Sequence, residues 1–251
     1  GGVLDLNGLS VANVFTLAGG SVTGFTTLSA SQLNLASTNA PKLSGTISGE
    51  LNLAGKQVDA TGGLAATGTL KGDGAVFSGG LVTLAPGATH APGDSPGSQT
   101  FQSGLSYSSS SVLEWEFDLE PSNWTAGEPM RGVNFDAVNV TGGNLDVASG
   151  AILQILLIDP LAVGFTDVFW DTSRTFSVID FSSSGQITGL FTFDDSSANL
   201  AAAGQGVWGI LHESGGVSLT WTPVPEPSTY GLVLGGLCLA AAALRRRSRR
   251  A

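Results

Sequence analysis

Cysteine is almost missing from this chain: Cys238 is the single one in 251 residues. One thiol excludes an intrachain disulfide framework and a cysteine-based metal site. Methionine is equally scarce, Met130 alone, and the chain opens Gly1-Gly2-Val3 without a charged, apolar leader. Charge is the third shortage, at 12% of residues, about half the usual share of a soluble domain. The balance is acidic, 10 Lys plus Arg against 20 Asp plus Glu, for a net charge of −10. Half of the basic residues are Arg245, Arg246, Arg247, Arg249 and Arg250, so residues 1–221 hold 19 acidic and 5 basic side chains. A body of that charge repels phosphate backbones, and nucleic acid is excluded as a partner.

Glycine is plentiful, 36 residues, and hydrophobic residues make up 42% of the chain, enough to bury a core and too many for a disordered chain. Residues 1–87 alternate short β-type runs with glycine turns. Leu4/Leu6, Leu33/Leu35 and Leu51/Leu53 repeat an apolar-x-apolar core, the period-2 signature of strands with one buried face. Asn7-Gly8, Gly19-Gly20, Gly62-Gly63 and Gly79-Gly80 supply the corners. No segment of residues 1–87 sustains a 3.6-residue helical pattern. The expected fold class is all-β: a glycine-rich β-solenoid or parallel β-helix-like body turning about every 20 residues. An antiparallel β-sandwich is the alternative.

Residues 85–98 contain Pro86, Pro92 and Pro96, which remove backbone donors and predict a surface loop. Further strands are expected over residues 101–107, 112–119, 135–140, 145–147, 152–158, 175–179, 190–193, 207–211 and 217–221, with a short helix possible over 198–203. Residues 112–120 alternate without fault, Leu113, Trp115, Phe117 and Leu119 against Glu114, Glu116, Asp118 and Glu120. Three regions follow from this pass: a glycine-rich β-repeat region over 1–104, a second β region continuing or capping it over 105–222, and a tail over 223–251.

The run Gly68-Thr69-Leu70-Lys71-Gly72-Asp73-Gly74, followed by Leu84-Ala85-Pro86-Gly87 and Gly93-Asp94-Ser95-Pro96-Gly97, resembles the autotransporter-associated β-strand repeats. The resemblance implies an elongated, surface-exposed scaffold and brings no catalytic residues with it.

The tail carries the strongest signal. Pro223-Val224-Pro225-Glu226-Pro227-Ser228 is a proline-stiffened stretch, residues 230–244 hold no charge, and the five arginines follow. As a helix, 15 uncharged residues span roughly 22 Å, short of the roughly 30 Å hydrocarbon core, a gap that snorkelling arginines and local thinning cover. A single C-terminal transmembrane helix with its arginines cytoplasmic is expected. The three parts in order, Val224, Pro225, Glu226, Pro227 and Ser228, then the apolar run, then the arginines, resemble the PEP-CTERM sorting signal. That resemblance implies a Gram-negative exported protein held transiently in the inner membrane. An exosortase would recognise Glu226 and cleave nearby, freeing the body to the cell surface or an exopolysaccharide or biofilm matrix. Export in turn implies that a signal peptide, and further repeats, precede residue 1 in the natural protein. Cys238, mid-run, reads as a helix-packing residue.

The chemical motifs lack context. Gly93-Asp94-Ser95-Pro96-Gly97 matches the nucleophile elbow, yet no helix follows it. Gly204-Gln205-Gly206-Val207-Trp208-Gly209 matches a dinucleotide fingerprint with no strand feeding it, and reads as a glycine-loosened strand. His90 and His212 have no ligand cluster nearby and are expected at the surface. Asn123-Trp124-Thr125 and Asn139-Val140-Thr141 are glycosylation sequons only in form. The stripe Glu114/Glu116/Asp118/Glu120 could hold Ca²⁺ if a loop added carbonyls, or supply a glycosidase-type carboxylate pair. Its plainer reading is the wet face of an antiparallel strand. No catalytic residue, metal or cofactor is therefore assigned. Two rivals to a structural or adhesive role are a carbohydrate-binding module using Trp124, Trp170 and Trp208, and a polysaccharide-active enzyme using the stripe.

Overall fold

A computed structural model describes residues 3–5, 15–17, 21–23, 27–35, 42–93, 96–158, 165, 167–196, 204–224 and 238–239. Strands β1 (Val3–Asp5), β2 (Phe15–Leu17), β3 (Ser21–Thr23) and β4 (Thr27–Leu35) come first, followed by β5 (Gly45–Asn52) and β6 (Gln57–Asp59). Then the chain repeats in threes: β7 (Leu64–Ala66), β8 (Thr69–Lys71) and β9 (Ala75–Ser78); β10 (Val82–Leu84), β11 (Thr89–Ala91) and β12 (Ser98–Phe101). The next two rungs are β13 (Leu105–Tyr107), β14 (Val112–Asp118) and β15 (Ala137–Val140), and β16 (Leu145–Val147), β17 (Ile152–Ile158) and β18 (Arg174–Phe181). Two short strands, β19 (Ile187–Thr188) and β20 (Thr192–Asp194), precede a hairpin of β21 (Gly206–Glu213) and β22 (Gly216–Pro223).

Each strand pairs in parallel with its counterpart one rung away. The first ladder runs β5, β7, β10, β13, β16, β19; the second β5, β8, β11, β14, β17, β20; the third β6, β9, β12, β15, β18. The long β5 bends at Gly49 (φ +87°) and feeds the first two ladders with its two halves. The body is thus a solenoid-like stack of long parallel sheets, and the antiparallel sandwich is excluded. Antiparallel pairing between named strands is confined to the closing hairpin, where β22 lies between β18 and β21.

Burial follows the period-2 pattern. Inward columns run Leu64, Val82, Leu105, Leu145 on the first ladder and Val58, Phe77, Phe101, Val140, Phe181 on the third, all buried. Phe77 and Phe101 stack with centroids 4.8 Å apart. Parallel in-register stacking brings like side chains to one strand spacing, so each rung covers the apolar face of the last.

The rungs are unequal. The outward column Thr46, Ala65, Thr83, Ser106, Asp146, Thr188 steps by 19, 18, 23, 40 and 42 residues. The expected 20-residue rung holds early and then doubles. The extra length lies in excursions between β14 and β15 and between β17 and β18, each with a 3₁₀ turn, Pro121–Asn123 and Val168–Asp171. These excursions deliver Trp124, Phe135, Phe169 and Trp170 to a widened core beneath Trp115 and Phe117, closed by Trp208 and Trp221 of the hairpin.

The segment expected as a surface loop, residues 85–98, contains β11, a central strand held between β8 and β14. Its prolines flank the strand instead of interrupting it, so no ladder hydrogen bond is lost.

Gly72 shows what the tight stacking demands. Its φ is +117°, and an added Cβ would sit 2.7 Å from Leu53 N in the rung below. Gly87, at φ +76°, has no atom within 4 Å of that position. Gly72→Ala should therefore cost about 2–4 kcal/mol, strain plus overlap, and Gly87→Ala about 1 kcal/mol, strain alone. Urea midpoints of the two variants check the order.

Candidate functional site

Three places hold the residues singled out by chemistry: the acidic stripe, a polar cluster inside the stack, and the end of β22 where the tail begins. On β14, Leu113, Trp115, Phe117 and Leu119 are fully buried, while Glu114, Glu116, Asp118 and Glu120 lie on the outward side, half-buried. The strand is parallel to both β11 and β17, so the stripe lies across a parallel stack and not on an antiparallel strand. Its lateral neighbours on β17 are Gln154, Leu156 and Ile158. Burial raises the Glu114 carboxyl above its usual range. Asp118 accepts from Glu120 N at 2.9 Å and from Asn123 Nδ2 at 2.9 Å, and Glu120 accepts from Ser122 N at 3.3 Å. These bonds tie the stripe's end to the turn that follows. Among the described residues no group of three or more metal-ligating side chains comes together.

The three tryptophans considered as a carbohydrate platform are not available to one. Trp124, Trp170 and Trp208 are 7%, 1% and 2% exposed. They pack among themselves and on Phe117, Phe169 and Phe176. Their area is worth more inside a widened core than on its surface.

His90 is likewise not at the surface; it is fully buried in the second ladder between Leu70 and Leu113. Gln99 Nε2 donates to Gly72 O at 3.1 Å, which turns Gln99 Oε1 toward His90 Nε2 at 3.0 Å. His90 Nε2 must then carry the proton, and Nδ1 accepts from the Tyr107 hydroxyl at 2.6 Å. The chain of bonds satisfies every polar atom of a neutral imidazole. Burial lowers His90 to about 4, and pushes the Tyr107 hydroxyl well above its ordinary value. His212 is half-buried and its Nε2 accepts from Phe191 N at 3.1 Å, covering the edge of the last rung.

Asp136 is a second buried polar group. Its carboxylate oxygens accept from Gly97 N at 2.8 Å and Glu116 N at 2.9 Å, and its carbonyl accepts from Trp115 Nε1 at 2.8 Å. Burial raises it to about 8, against the two backbone donors, with Glu116 and Asp73 adding repulsion. From the sequence Asp136 reads only as part of a strand, and nothing there signals that it ties β14 to the rung of Gly97. Gly97 belongs to the nucleophile-elbow match, whose Asp94 and Ser95 lie outside the described residues. The dinucleotide-like run forms the start of β21, an edge strand, as the glycine-loosened reading expected.

The two buried groups give opposite pH slopes. His90 keeps its proton off in the fold, so its contribution is whole above about 6.5 and is lost as pH falls toward 4. Asp136 holds its proton in the fold, so its contribution is whole below its ordinary 3.8 and is lost as pH rises through 8. Between pH 4 and 6.5 the two oppose each other. His90→Leu removes one of them, so the stability gap between parent and variant should shrink by about 3 kcal/mol from pH 6.5 to 4. Denaturant titrations at the two pH values read it directly.

At the third place, β22 ends at Pro223, and Val224 N still donates to Gln205 O at 2.8 Å. The sheet therefore runs into the sequence Val224-Pro225-Glu226-Pro227-Ser228 with no linker between them. Residues 223–247 match the PEP-CTERM protein-sorting motif. The chain carries that sorting motif. The PEP-CTERM tail marks an exported protein, sorted to the cell surface and processed by an exosortase. No curated protein matches the chain. Of the motif, Pro223 ends β22 and Val224 is 43% exposed. Pro225, Glu226, Pro227, Ser228 and the five arginines lie outside the described residues, as does the expected membrane helix apart from Cys238 and Leu239, both helical and exposed. Among the described residues no helix is long and apolar enough to cross a membrane.

Proposed function

We propose that this PEP-CTERM protein is a structural or adhesive scaffold of the cell surface or extracellular matrix, freed from the inner membrane by exosortase near Glu226. The observation that carries the reading is the direct join of the β-stack, through its antiparallel closing hairpin, to the sorting motif at Val224. A stack whose rungs add length by repetition, with few charges and glycine corners, suits an elongated spacer of the autotransporter-associated kind. Exopolysaccharide is the matrix partner this reading expects. It assigns no catalytic residue, metal or cofactor. The tail acts as an address and a temporary anchor, with the arginines setting its orientation.

Protease shaving of intact cells, with co-purification of the body alongside exopolysaccharide, tests the placement. Surface peptides from β7 to β18 are expected, and a body found only in the periplasm would overturn it. Reproducible glycan turnover lost on Glu114→Gln or Glu116→Gln would overturn the scaffold reading in favour of an enzyme.

A further inference from the structure

On one face of the closing hairpin, among the described residues, aliphatic side chains stay exposed. Trp208 on β21 and Val217, Leu219 and Trp221 on β22 point into the core and are buried. On the opposite face Val207 is 53% exposed and Leu211 39%, and Val224, just beyond β22, is 43% exposed. The cross-strand partners of Val207, Gly209 and Leu211 are Thr222, Thr220 and Ser218. This face therefore carries aliphatic and hydroxyl side chains near the tail, with Glu213 at the turn, the end farthest from Val224.

The tail fixes what can lie against it. The last sheet hydrogen bond is at Val224, and the uncharged run begins at Tyr230. Five residues separate them, six Cα–Cα steps that span at most about 22 Å when extended. The headgroup layer on each side of a bilayer takes up about 5–7 Å of that distance. Eight residues of β21 extend roughly 27 Å, so the tether is shorter than the hairpin it holds. We infer that the outward face of the β21–β22 hairpin rests on the lipid headgroups of the membrane that holds the tail until processing. The inference rests on the sorting-tail reading above. Val207, Leu211 and Val224 offer aliphatic contact there, and Ser218, Thr220 and Thr222 offer hydroxyls that hydrogen-bond to headgroups. Tethering supplies a millimolar effective concentration, so a weak face is sufficient.

The test uses the full chain with Cys238→Ala, reconstituted through its tail into vesicles of phosphatidylethanolamine and phosphatidylglycerol. A nitroxide is placed at Val207→Cys or Leu211→Cys, with Thr83→Cys on the first ladder and Leu239→Cys in the tail as references. Collision with oxygen relative to a water-soluble nickel chelate should be several-fold higher at 207 and 211 than at 83. Equal ratios at 207, 211 and 83, with 239 in lipid, overturn the face and leave the tail intact. A label at 239 that reads as water overturns the anchored tail and, with it, the contact. Protection of 207 only when exosortase shares the vesicle makes the occupant the enzyme and overturns the lipid assignment.

Discussion

Phe117→Ala should destabilise the protein by about 4–5 kcal/mol, at the upper end for a buried aromatic truncated to alanine. Phe117 is fully buried. Its ring stacks on Phe135 at 5.7 Å, meets Phe176 edge-on at 5.0 Å, and lies against Trp115, Trp124, Trp170 and Trp208 at 5.4 to 6.3 Å. Truncation removes the transfer energy of the ring and several aromatic contacts, each worth about 0.5–1.5 kcal/mol. It also leaves a cavity that rigid neighbouring rings cannot close. Against a total of about 5–15 kcal/mol such a loss is severe. A stack transmits damage mainly to adjacent rungs. Hydrogen exchange should therefore lose protection in β14, β15, β17, β18 and β22, while β7 to β10 keep theirs. Uniform loss along the chain would contradict the rung-by-rung account.

Replacing Arg245, Arg246, Arg247, Arg249 and Arg250 together by serine should abolish processing by releasing the tail's orientation. Each arginine costs about 2.5–3.5 kcal/mol at mid-bilayer, so carrying five across is prohibitive and the charged end stays cytoplasmic. Residues 230–244 without that end form a short, uncharged span that fits a roughly 30 Å core poorly. A cytoplasmic reporter fused after residue 251 should lose most of its signal in the variant. An unchanged signal, with normal release of the body, would show that the arginines do not orient the tail.

Much of the fold is legible in the pattern of residues. The alternation at 112–118 gives β14 its length and its buried face, and the apolar-x-apolar cores with glycine corners give the short rungs. The strand at residues 89–91 is not legible, because Pro86 and Pro92 read locally as breakers and only the stacked neighbours show that they flank a strand. The doubling of the later rungs escapes a period search, since the excursions carry unrelated sequence. Trp124, Trp170 and Trp208 read from the sequence as an exposed platform, and only the folding of the excursions and of the closing hairpin onto Trp115 and Phe117 puts them in the core. The setting of His90 is hidden for the same reason. Gln99 and Tyr107 lie 9 and 17 positions away, and neither spacing is a motif. The tail is the reverse case. Its address is written in consecutive residues, and the structure adds where the sheet stops, at the hydrogen bond of Val224 with Gln205.

Cleavage at the motif is the central claim, and mass spectrometry of the exported protein tests it most directly. Hosts with and without an exosortase should differ. With the enzyme, the mature chain should end near Glu226 and lack Arg245–Arg250; without it, the full tail should remain and the protein should stay with the membrane. A mature protein that keeps its arginines in both hosts would contradict the account.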